Sequence, residues 1–107
     1  MTTERQNFIM YKDADKELEI EIEDVESLVG ANLVWKMGKH LKSKSLIEKR
    51  TEDMEINDNS VVVSITPEDN KDIKSGDYYH ELRLTINNKT KPVLVGKVEV
   101  KDTLTSS

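Results

Sequence analysis

The stretch from Gly76 to Val100, GDYYHELRLTINNKTKPVLVGKVEV, constrains this chain more than any other. Tyr78, His80, Leu82, Leu84 and Ile86 recur at every second position, with Tyr79, Glu81, Arg83 and Thr85 between them. Successive side chains of a strand point to opposite faces, so the first set predicts a buried face and the second a wetter one. Asn87 to Lys91 breaks the alternation with turn-forming and charged residues. Pro92, which cannot donate to a ladder, is expected at the start of a return strand ending at Val100. Val93 and Val95 share one parity, while Leu94, Val98 and Val100 share the other. Gly96 lies where the parity changes, which predicts a bulge there.

The remaining segments read as partners for this pair. Phe8 to Tyr11 is a short apolar run, long enough for a first strand. Leu18, Ile20 and Ile22 alternate with Glu17, Glu19, Glu21 and Glu23, the pattern of a half-buried strand with an acidic outer face. Asp24 to Gly30 reads as a corner or one helical turn. Leu33, Trp35 and Met37 share a face of the next strand, opposite Asn32, Val34 and Lys36. A short strand is expected in SLIEKR, an edge rung at Met54 and Ile56, and a strand over Ser60 to Thr66 with Val61, Val63 and Ile65 inward. Thr66-Pro67-Glu68-Asp69 is a helix-start signal, with a capping threonine, proline at the first position and acidic groups in the first turn. One short helical turn near 67–73 follows, ended by Ser75-Gly76.

Short, closely spaced strands predict an all-β fold, a small antiparallel sandwich or barrel. The 107 residues suit one domain over 7–102, with loose ends at 1–6 and 103–107. With 36% hydrophobic and 35% charged residues, the chain can fill one thin core between two layers. The absence of cysteine excludes disulfides and thiolate metal sites and suits a reducing cytoplasm. No run approaches the length of a membrane span, and the first residues lack an export signal's apolar core, so neither membrane insertion nor export by that route is expected. A net charge of −5 with few aromatics argues against nucleic-acid binding, which depends on neutralising phosphates.

The residue types suited to catalysis or metal binding are scattered. Glu17, Glu19, Glu21 and Glu23 lie about 6 to 7 Å apart along a strand and fan outward, whereas calcium needs oxygens converging from several directions, and nothing in the local sequence gives an acid–base pair the perturbed environment it needs. A solvated face that deters edge-to-edge pairing accounts for them. His80 falls on the apolar parity and is expected to be a hydrogen-bonded, partly buried histidine; His40 lies among lysines in a turn. Trp35 is expected in the core rather than as a sugar-stacking platform. Lys36, Lys39, Lys42, Lys44, Lys49 and Arg50 form a diffuse basic strip, read as a solvated hairpin. The serines lack a nucleophile-elbow context and the glycines form no phosphate loop. No catalytic residue, cofactor or metal site is therefore expected.

One feature calls for a partner. Val34, Val62, Tyr79 and either the odd or the even valines of the return strand, with Val93 and Val95 the candidates, fall on nominally outer faces where a sandwich this small should be polar. With Arg83 they define a candidate contact face, covered by another copy or another protein.

With the strands placed, LVGANLVWKM, SLIEKR, SVVVSITPEDNKDIKSGDYYHELRLTI and VLVGKVEVKDTLT together resemble the N-terminal domain of the baseplate upper protein family, found among bacteriophage tail and baseplate structural proteins. The likeness spans roughly residues 8–104 and rests mostly on structural positions and turns. The chain departs from it in its Glu-rich first strand, where SLVGA stands in for a DLTG-like corner. The resemblance implies an immunoglobulin-like β-sandwich. It also implies a non-enzymatic structural or adaptor protein of a virion tail, baseplate or neck. Such a protein would be assembled in the host cytoplasm, as a homo-oligomer and with other phage structural proteins. A small surface- or carbohydrate-binding sandwich involved in host attachment is the alternative.

Overall fold

The computed structural model describes residues 4–22, 28, 30–40 and 44–102. Among the described residues nine strands form two facing sheets: β1 (Glu4–Arg5), β2 (Phe8–Tyr11), β3 (Lys16–Glu21), β4 (Asn32–Gly38), β5 (Ile47–Arg50), β6 (Met54–Asn57), β7 (Ser60–Ile65), β8 (Gly76–Ile86) and β9 (Lys89–Lys101). The larger sheet runs β1-β9-β8-β4-β5, with β2 also on β9, and the smaller runs β3-β7-β6. This is the expected all-β sandwich. Much of the corner at 24–30, Glu23, Lys42 and the tail at 103–107 lie outside the described residues.

Alternation drives the two layers together. Leu33, Trp35 and Met37 of β4, Leu82 and Leu84 of β8, and Leu94 of β9 are wholly buried, facing Val61, Val63 and Ile65 of β7 with Leu18 and Ile20 of β3. Each such side chain removed from water contributes about 1.5–3 kcal/mol before chain entropy is charged against it. Glu17, Glu19 and Glu21 are exposed on the opposite face of β3.

The β8–β9 hairpin is longer than its polar turn suggests. Its connection is only Asn87-Asn88, with φ of 53° and 62°, the left-handed pair of a tight hairpin turn. Ladder pairing begins at once with Ile86↔Lys89, so Pro92 lies inside β9 rather than at its start. The irregularity lies beside Pro92, not at Gly96. Leu82 pairs Leu94 and Arg83 pairs Pro92, which leaves Val93 as the extra residue. A bulge resets strand parity, so Val93 and Leu94 both turn inward and the even residues stay inward to Val100.

At the N-terminus, residues 4–6 are not loose. Glu4 pairs Leu94 and Arg5 pairs Val95, in parallel, and β2 continues along the same edge of β9 from Phe8↔Val98 to Tyr11↔Lys101. The helix-start signal is realised as α1 (Pro67–Asn70), shorter than the expected 67–73, with a reciprocal capping box between Thr66 and Asp69. Asn70 is fully buried: its side chain accepts from the Asp13 N–H and donates to the Ala14 carbonyl, both at 3.0 Å. It thus ties α1 to the turn before β3.

Candidate functional site

The outer face of the larger sheet brings four of the six predicted contact residues together. Register sets Val34 between Arg50 of β5 and Arg83 of β8, Tyr79 opposite Lys97, and Glu81 opposite Val95. Val34, Tyr79 and Val95 are half-buried by their neighbours and Arg83 is exposed. Charged residues frame them in pairs. Arg50 meets Glu48 at 2.6 Å, Lys36 meets the same carboxylate at 3.8 Å, and Arg83 meets Glu81 at 2.7 Å. Exposed pairs of this kind add little stability.

Two predicted residues lie elsewhere. Val93 is 6% exposed, turned into the core by the bulge. Val62 lies on the outer face of the smaller sheet, between Glu19 of β3 and Glu55 of β6. Strand parity assigns a side chain to a face but not to a sheet, and a one-residue bulge inverts it.

A small hollow of about 40 Å³, lined by residues including Lys36, His40, Tyr79, His80 and Glu81, adjoins this face. His80 offers no chemistry to it. Trp35 Nε1–H donates to His80 Nδ1 at 3.0 Å, and His80 Nε2 lies 2.6 Å from the Gln6 carbonyl oxygen. The first bond requires a bare Nδ1, so Nε2 carries the proton and donates it to Gln6. Both ring nitrogens are engaged, leaving no lone pair for a metal or a substrate proton. Burial pushes the imidazole pKa below its ordinary value, only partly opposed by the Gln6 carbonyl. Phe8 packs edge-on against the same ring at 4.9 Å.

Gly96 makes this arrangement possible. A Cβ at this position would collide with the Gln6 carbonyl oxygen, lie 2.6 Å from the carbonyl carbon and come within 2.9 Å of His80 Nε2. The glycine is needed for close approach of two backbones rather than for a bulge. Parity places His80 and Trp35 in the core but carries no sign of Gln6, their partner between β1 and β2; the glycine at position 96 inside a strand was the one local signal of a close approach.

The remaining polar groups are structural. Burial raises the Asp69 carboxyl, but the Lys49 ammonium at 2.8 Å and the Thr66 N–H and hydroxyl outweigh it, leaving Asp69 below the usual carboxylate value. Lys49, expected in a solvated strip, instead clamps β5 to α1. Among the described residues no group of three or more His, Cys, Asp or Glu could hold a metal ion, and no helix is long and apolar enough to cross a membrane. None of their buried side-chain polar atoms lacks a hydrogen-bond partner.

Strand order and core define the class: an immunoglobulin-like sandwich. β3, β7 and β6 stand in the B-E-D places, and β9, β8, β4 and β5 in the G-F-C-C′ places. Trp35 is the buried tryptophan of strand C. Tyr78 opens strand F with its hydroxyl donating to the Lys74 carbonyl at 2.6 Å, a tyrosine corner. His80, two residues on, occupies the place where antibody domains carry the second disulfide cysteine.

No protein-family model and no curated protein sequence matches the chain. Among solved structures it is similar to part of a candidate glycoside hydrolase from Bacteroides vulgatus, at 13% identity and a TM-score of 0.51 over 94% of this chain. The chain spans 17% of that protein's length, and the likeness is one of fold alone. It is also similar, at 14% identity and a TM-score of 0.43, to the extracellular domain of the voltage-gated sodium channel β4 subunit, over 97% of both chains.

Proposed function

We propose that this chain is a non-enzymatic assembly module, a bacteriophage virion structural or adaptor protein of the tail, baseplate or neck. It acts by binding copies of itself and other phage structural proteins, in the host cytoplasm and then in the virion. The observation that carries the assembly reading is the outer face of the larger sheet. There Val34, Tyr79 and Val95 lie among charges already paired with one another, a surface suited to a flat protein contact. His80, the side chain best suited to acid–base work, is committed on both nitrogens to holding the fold. The virion assignment rests on the segment resemblance described above.

The test is a blot of purified phage particles with antibody against this chain. Co-purification with intact particles is expected; a band confined to the lysate would refute a virion component. A surface- or carbohydrate-binding module is the second reading, favoured by Tyr11, 47% exposed on β2. Binding on a glycan array that Tyr11→Ala abolishes would replace the first reading with the second.

A further inference from the structure

The strands at the sheet edges are not alike. β1, β3, β5 and β6 each carry charged residues, the usual guard against edge-to-edge pairing. β2, FIMY, carries none, and its outward side chains Ile9 and Tyr11 are 42% and 47% exposed.

Among the described residues its backbone is open as well. The Gln6 N–H donates to the Val95 carbonyl and the Lys12 N–H to the Lys101 carbonyl, both at 2.9 Å. These flanking bonds fix the even residues of the segment as those facing β9. Met10, an even residue, is wholly buried. The odd residues Ile9 and Tyr11 therefore turn their N–H and C=O groups away from β9. The next odd residue, Asp13, has its N–H taken by Asn70 Oδ1, whereas among the described residues no hydrogen bond outside the sheet engages the Ile9 or Tyr11 backbone.

We propose that β2 is the contact between two copies of this chain, paired antiparallel about a two-fold axis at Met10; this rests on the assembly reading above and adds to its sheet face a separate edge for self-pairing. Met10 then lies opposite the partner's Met10, Ile9 opposite the partner's Tyr11, and Tyr11 opposite the partner's Ile9. Opposed residues in a narrow antiparallel pair exchange both N–H···O=C bonds. The two symmetry-related pairs thus use each open N–H and C=O of Ile9 and Tyr11 once. The side chains agree with this register. A β-branched residue faces an aromatic one on the outer surface, a favourable cross-strand pair. A slip of one residue would oppose outer side chains with inner ones.

Charge favours a second copy as the occupant. On β9, Glu99 lies beside Ile9 and Lys101 beside Tyr11. In the joined sheet each Ile9–Tyr11 pair therefore lies between Glu99 of one copy and the partner's Lys101, opposite signs throughout. Self-pairing of β3 would instead face Glu17, Glu19 and Glu21 with their own copies. The strand is short and buries less than a standard interface, so the dimer is weak, with a dissociation constant on the order of 100 μM.

The test is sedimentation equilibrium of the chain from about 10 μM to 1 mM, spanning that constant. Wild type is expected to pass from monomer to dimer, while I9K/Y11K and I9E/Y11E stay monomeric because like charges are opposed at both pairs. An equimolar mixture of the two variants is expected to dimerise, each lysine then facing a glutamate. Amide exchange provides a readout without substitution: the Ile9 and Tyr11 N–H groups slow as wild-type concentration rises through the transition. A wild-type monomer at the highest concentration, variants that dimerise like wild type, a mixture that stays monomeric, or Ile9 and Tyr11 exchange independent of concentration would each overturn the pairing. The outcome is separable from the virion assignment. A monomeric chain found in particles sinks only the β2 contact, and a dimer absent from particles sinks only the virion reading.

Discussion

Replacing Gly96 with alanine asks whether the N-terminal strand is held as described. The added Cβ would lie 2.6 Å from the Gln6 carbonyl carbon, where ordinary carbon–carbon contact is about 3.5–4.0 Å. The Gln6 carbonyl must therefore retreat by about 1 Å or more, leaving the 2.6 Å contact with His80 Nε2. That strands a buried imidazole N–H, at about 1–3 kcal/mol, and loosens the Gln6 N–H bond to Val95, at about 0.5–1.5 kcal/mol. Gly96 has no positive φ, so alanine costs no backbone strain and restricts the unfolded chain, returning about 0.4–1 kcal/mol. The expected net loss is between about 0.5 and 4 kcal/mol, centred near 2. Urea unfolding followed by the fluorescence of Trp35, the sole tryptophan, measures it. Repeating the substitution in a chain lacking residues 1–7 closes a double-mutant cycle, and there most of the loss should vanish. Unchanged or increased stability in the full chain, or an equal loss in both backgrounds, would refute the clasp between Gln6, His80 and Gly96.

Two further outcomes follow from the same core. His80 has a folded-state pKa below its unfolded value of about 6.5, so the unfolded chain binds the extra proton first. The contribution of neutral His80 is complete above about pH 6.5 and is lost as pH falls toward the folded pKa, with a slope of at most about 1.4 kcal/mol per pH unit. Thermal melts between about pH 5 and 7.5 should show this loss in wild type and not in His80→Gln, and identical profiles would count against it. Tyr78→Phe removes the hydroxyl that caps the Lys74 carbonyl at the tyrosine corner and should cost about 1 kcal/mol in urea unfolding; no loss would mean that water replaces it.

Much of the sandwich was legible because alternation and burial are one physical fact read twice. Leu33, Trp35 and Met37, or Val61, Val63 and Ile65, can satisfy their periodicity only with one face inward. Capping at Thr66 was legible because proline, threonine and acidic groups act locally. The contact face was only partly so. Val34, Tyr79, Arg83 and Val95 came together because their parities agree on neighbouring strands of one sheet. Val62 went to the other sheet, because which strands pair is decided by distant partners. Val93 turned inward because a single extra residue reverses every assignment before it. The N-terminal strand was least legible: Glu4, Arg5 and Gln6 are polar, and they are ordered by the long-range pairing with β9 and by the space that Gly96 leaves.

The parallel pairing of β1 and β2 with β9 has a kinetic consequence. Glu4 is made ninety residues before Leu94, the residue it pairs with. On a growing chain the N-terminal strand waits, unpaired, while the hairpins between β3 and β8 have partners already at hand. Local contacts can form early, whereas closing so long a loop is entropically disfavoured until both flanking structures exist. Closing the sandwich therefore requires β1 and β2 to meet β9 across the greatest sequence separation of any strand pairing in it. The uncharged segment FIMY is then the one longest without cover. When neighbouring chains fold together, it is also the segment most exposed to being taken up by a neighbour's β9 before its own is complete.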